Sequence, residues 1–278
     1  MPFLRRRFTP EPAAADRVLY TSTSLLEATL RASAITIRGL VWDATTVPAP
    51  RDDGRAYAHV VLSGVLATDD GVFGPGEAAI YPSFAAMHRA GAVALGEPHR
   101  AVALRLDGAE VVPRRASCSV DAIAKAYTTI RDEDPLAHAE ATDLARALGL
   151  EPLVEASNVE EDARVAEALS RVLSGPTGLP SMLDRGLGVS SRQSRRCITS
   201  FFRSFRMPFE TFREMRLSFT LTTAMLYLAR PDVSVERCAR AVGLASATSL
   251  CHAIAKAELP PPRVARERRA RALAAWPK

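Results

Sequence analysis

The chain has 278 residues, with 47% hydrophobic and 24% charged, and 36 Lys and Arg stand against 31 Asp and Glu. That composition supports folded cores and excludes a disordered chain, and the length suits one large domain or two ordinary ones. No uncharged apolar run reaches the roughly 18–20 residues of a membrane span, so no membrane partner is expected. The basic opening "MPFLRRRFTPEP" has no apolar core behind it and is not expected to act as a secretory signal. Cysteines at 118, 197, 238 and 251 have no paired spacing, which suits reduced thiols and a cytoplasmic protein.

The net charge of +5 is unevenly placed. Residues 176–278 carry 18 Lys and Arg against 7 Asp and Glu, a net of +11; residues 1–175 carry 18 against 24, a net of −6. A basic C-terminal part joined to an acidic N-terminal part points to two domains, the basic one suited to a polyanion.

Residues 18–107 show period-two alternation. "AITIRGLVW" (34–42) keeps Ile35, Ile37 and Val41 on one parity. "YAHVVLSGVLA" (57–67), "EAAIYP" (77–82) and "HRAVALRLDG" (99–108) come next, broken by "RDDG", "DDG", "GPG" and "GEP". The last run puts Val102, Leu104 and Leu106 on one face and Arg105 on the other. This pattern predicts an antiparallel β-barrel or sandwich. After Pro113 the character changes. Residues 119–150 predict two helices broken near Asp134–Pro135, with Ser119 as a cap and Gly149 as a stop. A further amphipathic helix over 160–173 buries Val165, Leu169 and Val172.

From 180 onward the chain reads as helices with short breaks. "LPSMLDRGLGVSSRQSRRCITSFF" holds a helix, a glycine turn and a second helix, and "SVERCARAVGLASATSLCHAIAKA" (234–257) repeats the pattern. Aligning Gly188 with Gly243 gives a 55-residue offset. Between them, "FETFREMRLSFTLTTAMLYLA" (209–229) predicts a long helix covered on more than one side. Two helix–turn–helix units on one linker helix form a specific arrangement. In the second unit Cys238, Ala239, Val242, Leu250 and Ile254 supply the inner faces; in the first, Leu183 and Leu187 do so, and Ser190 or Ser191 caps the next helix. The buried i, i+4 pair of that helix is either Ser194/Ile198 or Cys197/Phe201, the second being the more apolar choice. The exposed face then carries Arg192, Gln193, Arg195 and Arg196. Arg can pair bidentately with guanine N7 and O6, and Gln with adenine N6 and N7.

Residues from about 161 to 266 resemble the DNA-binding domain of the AraC/XylS family of transcriptional regulators. The landmarks are "LGVS" (187–190), "RMPFETF" (206–212), "DVSVERCARAVGLAS" (232–246) and "SATSLCHAIAKA" (246–257). The β-rich half, with "YAHVVLSGVL" before "FGPGEAAIYPSFAAMH", resembles the cupin-like barrel that many such regulators carry. The resemblance implies an α+β chain: a cupin-like barrel for effector or dimerisation (15–112), a helical linker or dimerisation segment (118–158), and a double helix–turn–helix domain (160–270). It implies a ligand-responsive one-component regulator, with promoter DNA as partner and RNA polymerase, a small-molecule effector and a second copy of the chain as further candidates. It implies DNA contact by Ser190, Ser191, Arg192, Gln193, Arg195 and Arg196 in the first unit. In the second, His252 and Lys256 are joined by Ser246, Thr248 and Ser249. Asp184 stands where the family prefers a small Ala, Gly186 weakens the first helix, and Val189 to Phe201 is about three residues longer than the family spacing.

Cupin-like barrels also occur as metalloenzymes, and His59, His88 and His99 are the candidate ligands here. There is no His-x-His pair with a following Glu, no Ser-His-Asp or Cys-His arrangement, and no Gly-rich strand-to-helix loop. The expectation is therefore no catalytic residue, no metal and no cofactor. A diverged sensor or interaction protein with weak DNA binding is the rival to the regulator, and a cupin-type metalloenzyme a more distant one.

Overall fold

Apolar alternation folds the N-terminal half into one antiparallel sheet, and helical periodicity takes over after it. The computed structural model describes residues 24–25, 30–37, 42–43, 54–106, 111–132, 134, 136–150, 159–173, 180–204, 207, 209–228 and 233–275. The strands are β1 (Ser24–Leu25), β2 (Leu30–Ile37), β3 (Trp42–Asp43), β4 (Ala56–Thr68), β5 (Gly71–Phe73), β6 (Glu77–Tyr81), β7 (Val93–Leu106) and β8 (Arg114–Ser117). They pair in the order β1-β2-β7-β4-β6-β8, with β3 on β7 and β5 on β4. The expected Val41 lies outside the described residues.

The register sorts the side chains. Tyr57 pairs with Arg105, His59 with Ala103 and Val60 with Val102. Even-numbered Ala56, Ala58, Val60, Ala78, Ile80, Val102 and Leu104 join one buried cluster; odd-numbered Tyr57, Val61, Ala79, Tyr81 and Ala103 join another. Arg105 lies over the rings of Tyr57 and Phe84, on the face opposite Val102 and Leu104. Register shifts between Val61 and Val65 bend β4 against β7. Beyond them, Leu66 and Ala94 return to the cluster that Val61 and Ala103 line. The sheet is thereby curled as a half-barrel, and the chain is α+β.

A short helix, α1 (Phe84–Arg89), comes after β6, capped by the Ser83 side chain, which accepts from the Ala86 amide. Six residues are too few to show helical periodicity in the sequence. α2 (Val120–Asp132) and α3 (Ala137–Ala147) press Ile123, Ala126, Tyr127, Ile130, Ala141 and Leu144 onto the even-numbered face of the sheet. Ser119 accepts from the Asp121 amide ahead of α2, and Gly149, at φ +69°, stops α3.

The remaining helices are α4 (Val159–Leu173), α5 (Pro180–Leu187), α6 (Ser191–Ser204), α7 (Phe212–Leu228), α8 (Val235–Ala241), α9 (Ala247–Lys256) and α10 (Pro262–Ala275). The long α7 serves two cores. Phe212 and Met215, near its start, pack with α4, α5 and α6; Leu221, Ala224, Met225, Tyr227 and Leu228 pack with α8, α9 and α10. That second cluster is continuous with the odd-numbered face of the sheet. Among the described residues no helix is long and apolar enough to cross a membrane.

His59 and His99, on adjacent strands, are buried with their Nε2 atoms 3.1 Å apart. Their ring centroids are 5.4 Å apart, close to the Nε2 separation plus one ring radius at each end, so the rings meet head-on. One Nε2 carries the shared proton and donates it to the other. Burial, and secondarily His99, pushes the His59 pKa down from 6.5 to about 3. The unfolded chain therefore binds more protons between those values, and stability falls as pH drops from 6.5 toward 3. Urea unfolding across that range is expected to show a steeper acid loss for the native chain than for His59→Gln, which does not titrate there. Parallel profiles would contradict the neutral pair.

Candidate nucleic-acid interface

Each helix–turn–helix unit turns on a glycine with positive φ: Gly188 at +67° and Gly243 at +77°. An L-residue pays about 1–2 kcal/mol for that conformation, whereas glycine does not. The helices after the turns begin at serines. The Ser246 side chain accepts from the Ser249 amide at 3.1 Å. The Ser190 hydroxyl accepts from the Gln193 amide at 3.3 Å, which makes Ser190, not Ser191, the cap of α6.

Measured from these caps, the two helices are in phase. Leu250 and Ile254 are buried four and eight residues after Ser246; Ser194 and Ile198 are buried four and eight residues after Ser190. The expected Cys197/Phe201 pair is thus corrected. Phe201 is buried, but Cys197 is only half-buried, and the inward arc of α6 runs Ser194, Ile198, Phe201, Phe202. The arc is set by the cap and the helical period, which place a serine inward despite its polarity. The long spacing from Val189 to Phe201 disappears with that choice, because Ile198 is the counterpart of Ile254. The cap falls two residues after Gly188 but three after Gly243, so the 55-residue offset that aligns the glycines becomes 56 for α6 and α9.

The outward faces then correspond residue by residue. Arg192, Gln193, Arg195, Arg196 and Ser200 of α6 take the positions of Thr248, Ser249, Cys251, His252 and Lys256 of α9, and all ten are exposed. Ser191 is exposed as well, while Ser246 is half-buried at its cap. Two members of this face, Ser200 and Cys251, were not among the sequence-derived candidates. An equal distance from each cap would have found them, had the cap of α6 been known.

Behind the faces, each unit is braced by packing and by polar contacts. Cys238, Ala239 and Val242 of α8 are buried with Leu250 and Ile254, and the Cys238 thiol donates to the Ala224 carbonyl of α7 at 3.5 Å. Burial raises the Cys238 pKa to about 12, so it stays a thiol. In the first unit, Leu183 and Leu187 pack with Val165, Leu169 and Ile198, and Arg164 donates to the Leu187 carbonyl at 3.3 Å, satisfying an orphan acceptor at the end of α5. α5 runs through Gly186, where an added Cβ would meet the Cβ of Ala168 at 3.4 Å. Asp184 is half-buried and accepts a hydrogen bond from Ser191 Oγ at 2.5 Å. Its carboxylate is thus matched by a partner across the turn. Arg266 of α10 donates to the Leu228 and Val233 carbonyls, tying the last helix to the second unit.

The histidines weighed as metal ligands separate. His59 and His99 face each other in the sheet, while His88 lies half-buried on α1. Among the described residues no group of three or more His, Cys, Asp or Glu is placed to hold a metal ion.

No protein-family model matches the chain. No curated protein matches it. Among solved structures, ToxT from Vibrio cholerae aligns over 85% of this chain and 98% of its own, at 7% identity and a TM-score of 0.36. Wild-type ToxT from Vibrio cholerae with an unsaturated fatty acid bound aligns over 84% and 93%, at 6% identity and 0.34. A mutant of Bacillus subtilis oxalate decarboxylase aligns over 48% and 36%, at 13% identity and 0.19. At such scores these likenesses bear on neither activity nor ligand.

The caps yield a stability prediction. Ser190→Ala and Ser246→Ala are each expected to cost about 1 kcal/mol, and Ser190→Asp much less. Ser191→Ala, beside the cap, tests the assignment in urea unfolding: if it costs as much as replacing Ser190 in an Asp184→Ala background, Ser190 is not the cap.

Proposed function

We propose that this chain is a sequence-specific DNA-binding transcription regulator of the AraC/XylS kind, responsive to a small molecule. The observation that carries this reading is the shared phase of α6 and α9. Both start at a serine, bury the fourth and eighth residues after it, and present the same set of outward positions. A charged surface helix needs no such match; two helices entering successive major grooves do. In the proposed complex Arg192, Arg195 and Arg196 reach guanine edges or phosphates and Gln193 an adenine edge, while Ser190 and Ser191 meet the DNA backbone at the helix start, Ser191 through its main-chain N–H because its hydroxyl is given to Asp184. The second unit works with shorter groups, Ser246, Thr248, Ser249 and His252, and with Lys256 at the far end. The first unit thus supplies most of the charge and the second most of the short-range contacts.

The half-barrel is the proposed effector or dimerisation domain. Its continuity with the second unit through one apolar cluster supports coupling, because a ligand that repacks the sheet would bias the placement of α8 and α9. A second copy of the chain and RNA polymerase are further proposed partners at the promoter. The proposed setting is cytoplasmic, on the nucleoid when DNA is bound, and no catalytic role is proposed for any residue.

A duplex selected by the native protein from a random library provides the test. Fluorescence anisotropy is expected to show tighter binding to it than to a scrambled duplex, weakening steeply with salt as phosphate counterions are released. Arg195→Ala or Arg196→Ala is expected to cost about 1–3 kcal/mol on the selected duplex alone if that side chain meets a base, and equally on both duplexes if it meets phosphate. Equal binding of the native chain to both duplexes would refute the proposal.

Cys251 offers a chemical readout, being exposed on the outward face of α9. Its alkylation is expected to slow when the selected duplex is bound, while that of Cys118, beside the sheet, is unchanged. Alkylation of Cys251 at one rate with and without DNA would remove α9 from the interface.

A further inference from the structure

Both reading helices are tied at the same position to the helix before them, by different residues. In the second unit, Glu236 Oε2 of α8 accepts from the Ala247 amide at 3.0 Å. In the first, Asp184 Oδ2 of α5 accepts from Ser191 Oγ. Ala247 and Ser191 are each the residue directly after the cap, the first of its helix. The two acids are not at matching positions. Glu236 lies seven residues before Gly243 and Asp184 four before Gly188, a difference of three, which is about one helical turn along the same face. Two carboxylates from different steps of the first helix thus converge on one point, one through a backbone N–H and the other through a hydroxyl.

We infer that Glu236 and Asp184 are positioning residues that latch the first turn of each reading helix to its partner helix and so set the angle at which α9 and α6 meet DNA. This rests on the DNA-binding reading above. The physical need is clear in a two-helix unit. The apolar contact beneath the helices is non-directional and allows them to roll, whereas a hydrogen bond at the helix start fixes both distance and rotation. A carboxylate also suits a helix N-terminus, where the first amides carry partial positive charge. Glu236 is held by two partners. Its Oε1 accepts from Arg240 Nε and Nη2, both at 3.1 Å, which leaves Oε2 for the Ala247 amide. The Ala247 amide, with Arg240 second, holds the Glu236 carboxyl below the usual carboxylate range, so it is ionised at neutral pH.

The latch has a consequence for recognition. The Ala247 amide points to Glu236 and is not offered to a phosphate. Contact at the start of α9 then falls to the side chains of Ser246, Thr248 and Ser249, whose reach depends on the helix angle. Loss of the latch is therefore expected to lower discrimination between DNA sequences more than total affinity.

The test uses the full chain with Glu236→Ala, Glu236→Gln, Asp184→Ala, Asp184→Asn and Ser191→Ala. The amide forms keep an acceptor and should preserve the latch; the alanines should not. Hydrogen exchange at the Ala247 amide is expected to speed up about tenfold or more in Glu236→Ala relative to Glu236→Gln. The ratio of affinities for the selected and scrambled duplexes should fall about tenfold in Glu236→Ala and Asp184→Ala, and within about twofold in the amide forms, with the salt slope unchanged. Ser191→Ala should reproduce Asp184→Ala, and combining the two should add nothing further. If alanine and amide variants behave alike in exchange and in the affinity ratio, or if Ser191→Ala and Asp184→Ala add independently, the latch is refuted. The exchange measurement judges the latch without DNA, so its failure is separate from a native chain that does not discriminate between duplexes.

Discussion

The helices α6 and α9 both begin where a serine hydroxyl accepts from an amide of the first turn, Ser190 from Gln193 and Ser246 from Ser249. Once Ser190 and Ser246 are in place, the 3.6-residue period fixes the phase of each helix along its whole length. The fourth and eighth residues turn inward, and the positions between them turn out. The polar character of Ser194 gives way to this phase, with a small buried side chain and its amide bonded to the Ser190 carbonyl. Everything proposed about DNA contact depends on that constraint, since a slip of three residues would turn the α6 arginines by about 60° on the outward face and change which of them faces DNA.

The long helix α7 turns two units into one structure. Its start is buried with the first unit and its end with the second, so it cannot show a single apolar stripe. The polar groups it buries on the way are satisfied internally, Thr222 by the Ser218 carbonyl and Thr223 by the Phe219 carbonyl, both at 2.9 Å. A helix packed at both ends transmits placement, and here its second half also belongs to the cluster that reaches the sheet. The proposed coupling between the half-barrel and α9 has such a continuous packed path to use, whereas loosely tethered units would respond separately.

Much of the fold was legible in the sequence where local rules act alone. Alternation marked β4, β6 and β7 and assigned Val102, Leu104 and Arg105 to their correct faces. Gly188 and Gly243 announced the turns, and Ser119 and Gly149 bracketed α2 and α3. What stayed hidden involved competition between residues. "SSRQSRRC" offers two serines for one cap, and apolarity favoured Cys197 over Ser194 as the inward group. Asp184 looked like a misfit because its partner, Ser191, lies across the turn. Helix α1 was too short to leave a period.

The sequence by itself determined an α+β chain with an antiparallel β-rich half, a basic helical part and two glycine-centred helix pairs, because these depend on residue type and short-range spacing. Only the tertiary structure decided the phase of α6, the equivalence of Arg195 with Cys251, the head-on pairing of His59 with His99, and the convergence of Glu236 and Asp184 on their helix starts. Those depend on which hydroxyl reaches which amide and on which strands lie side by side, and such distances between separate elements are not encoded in any local pattern.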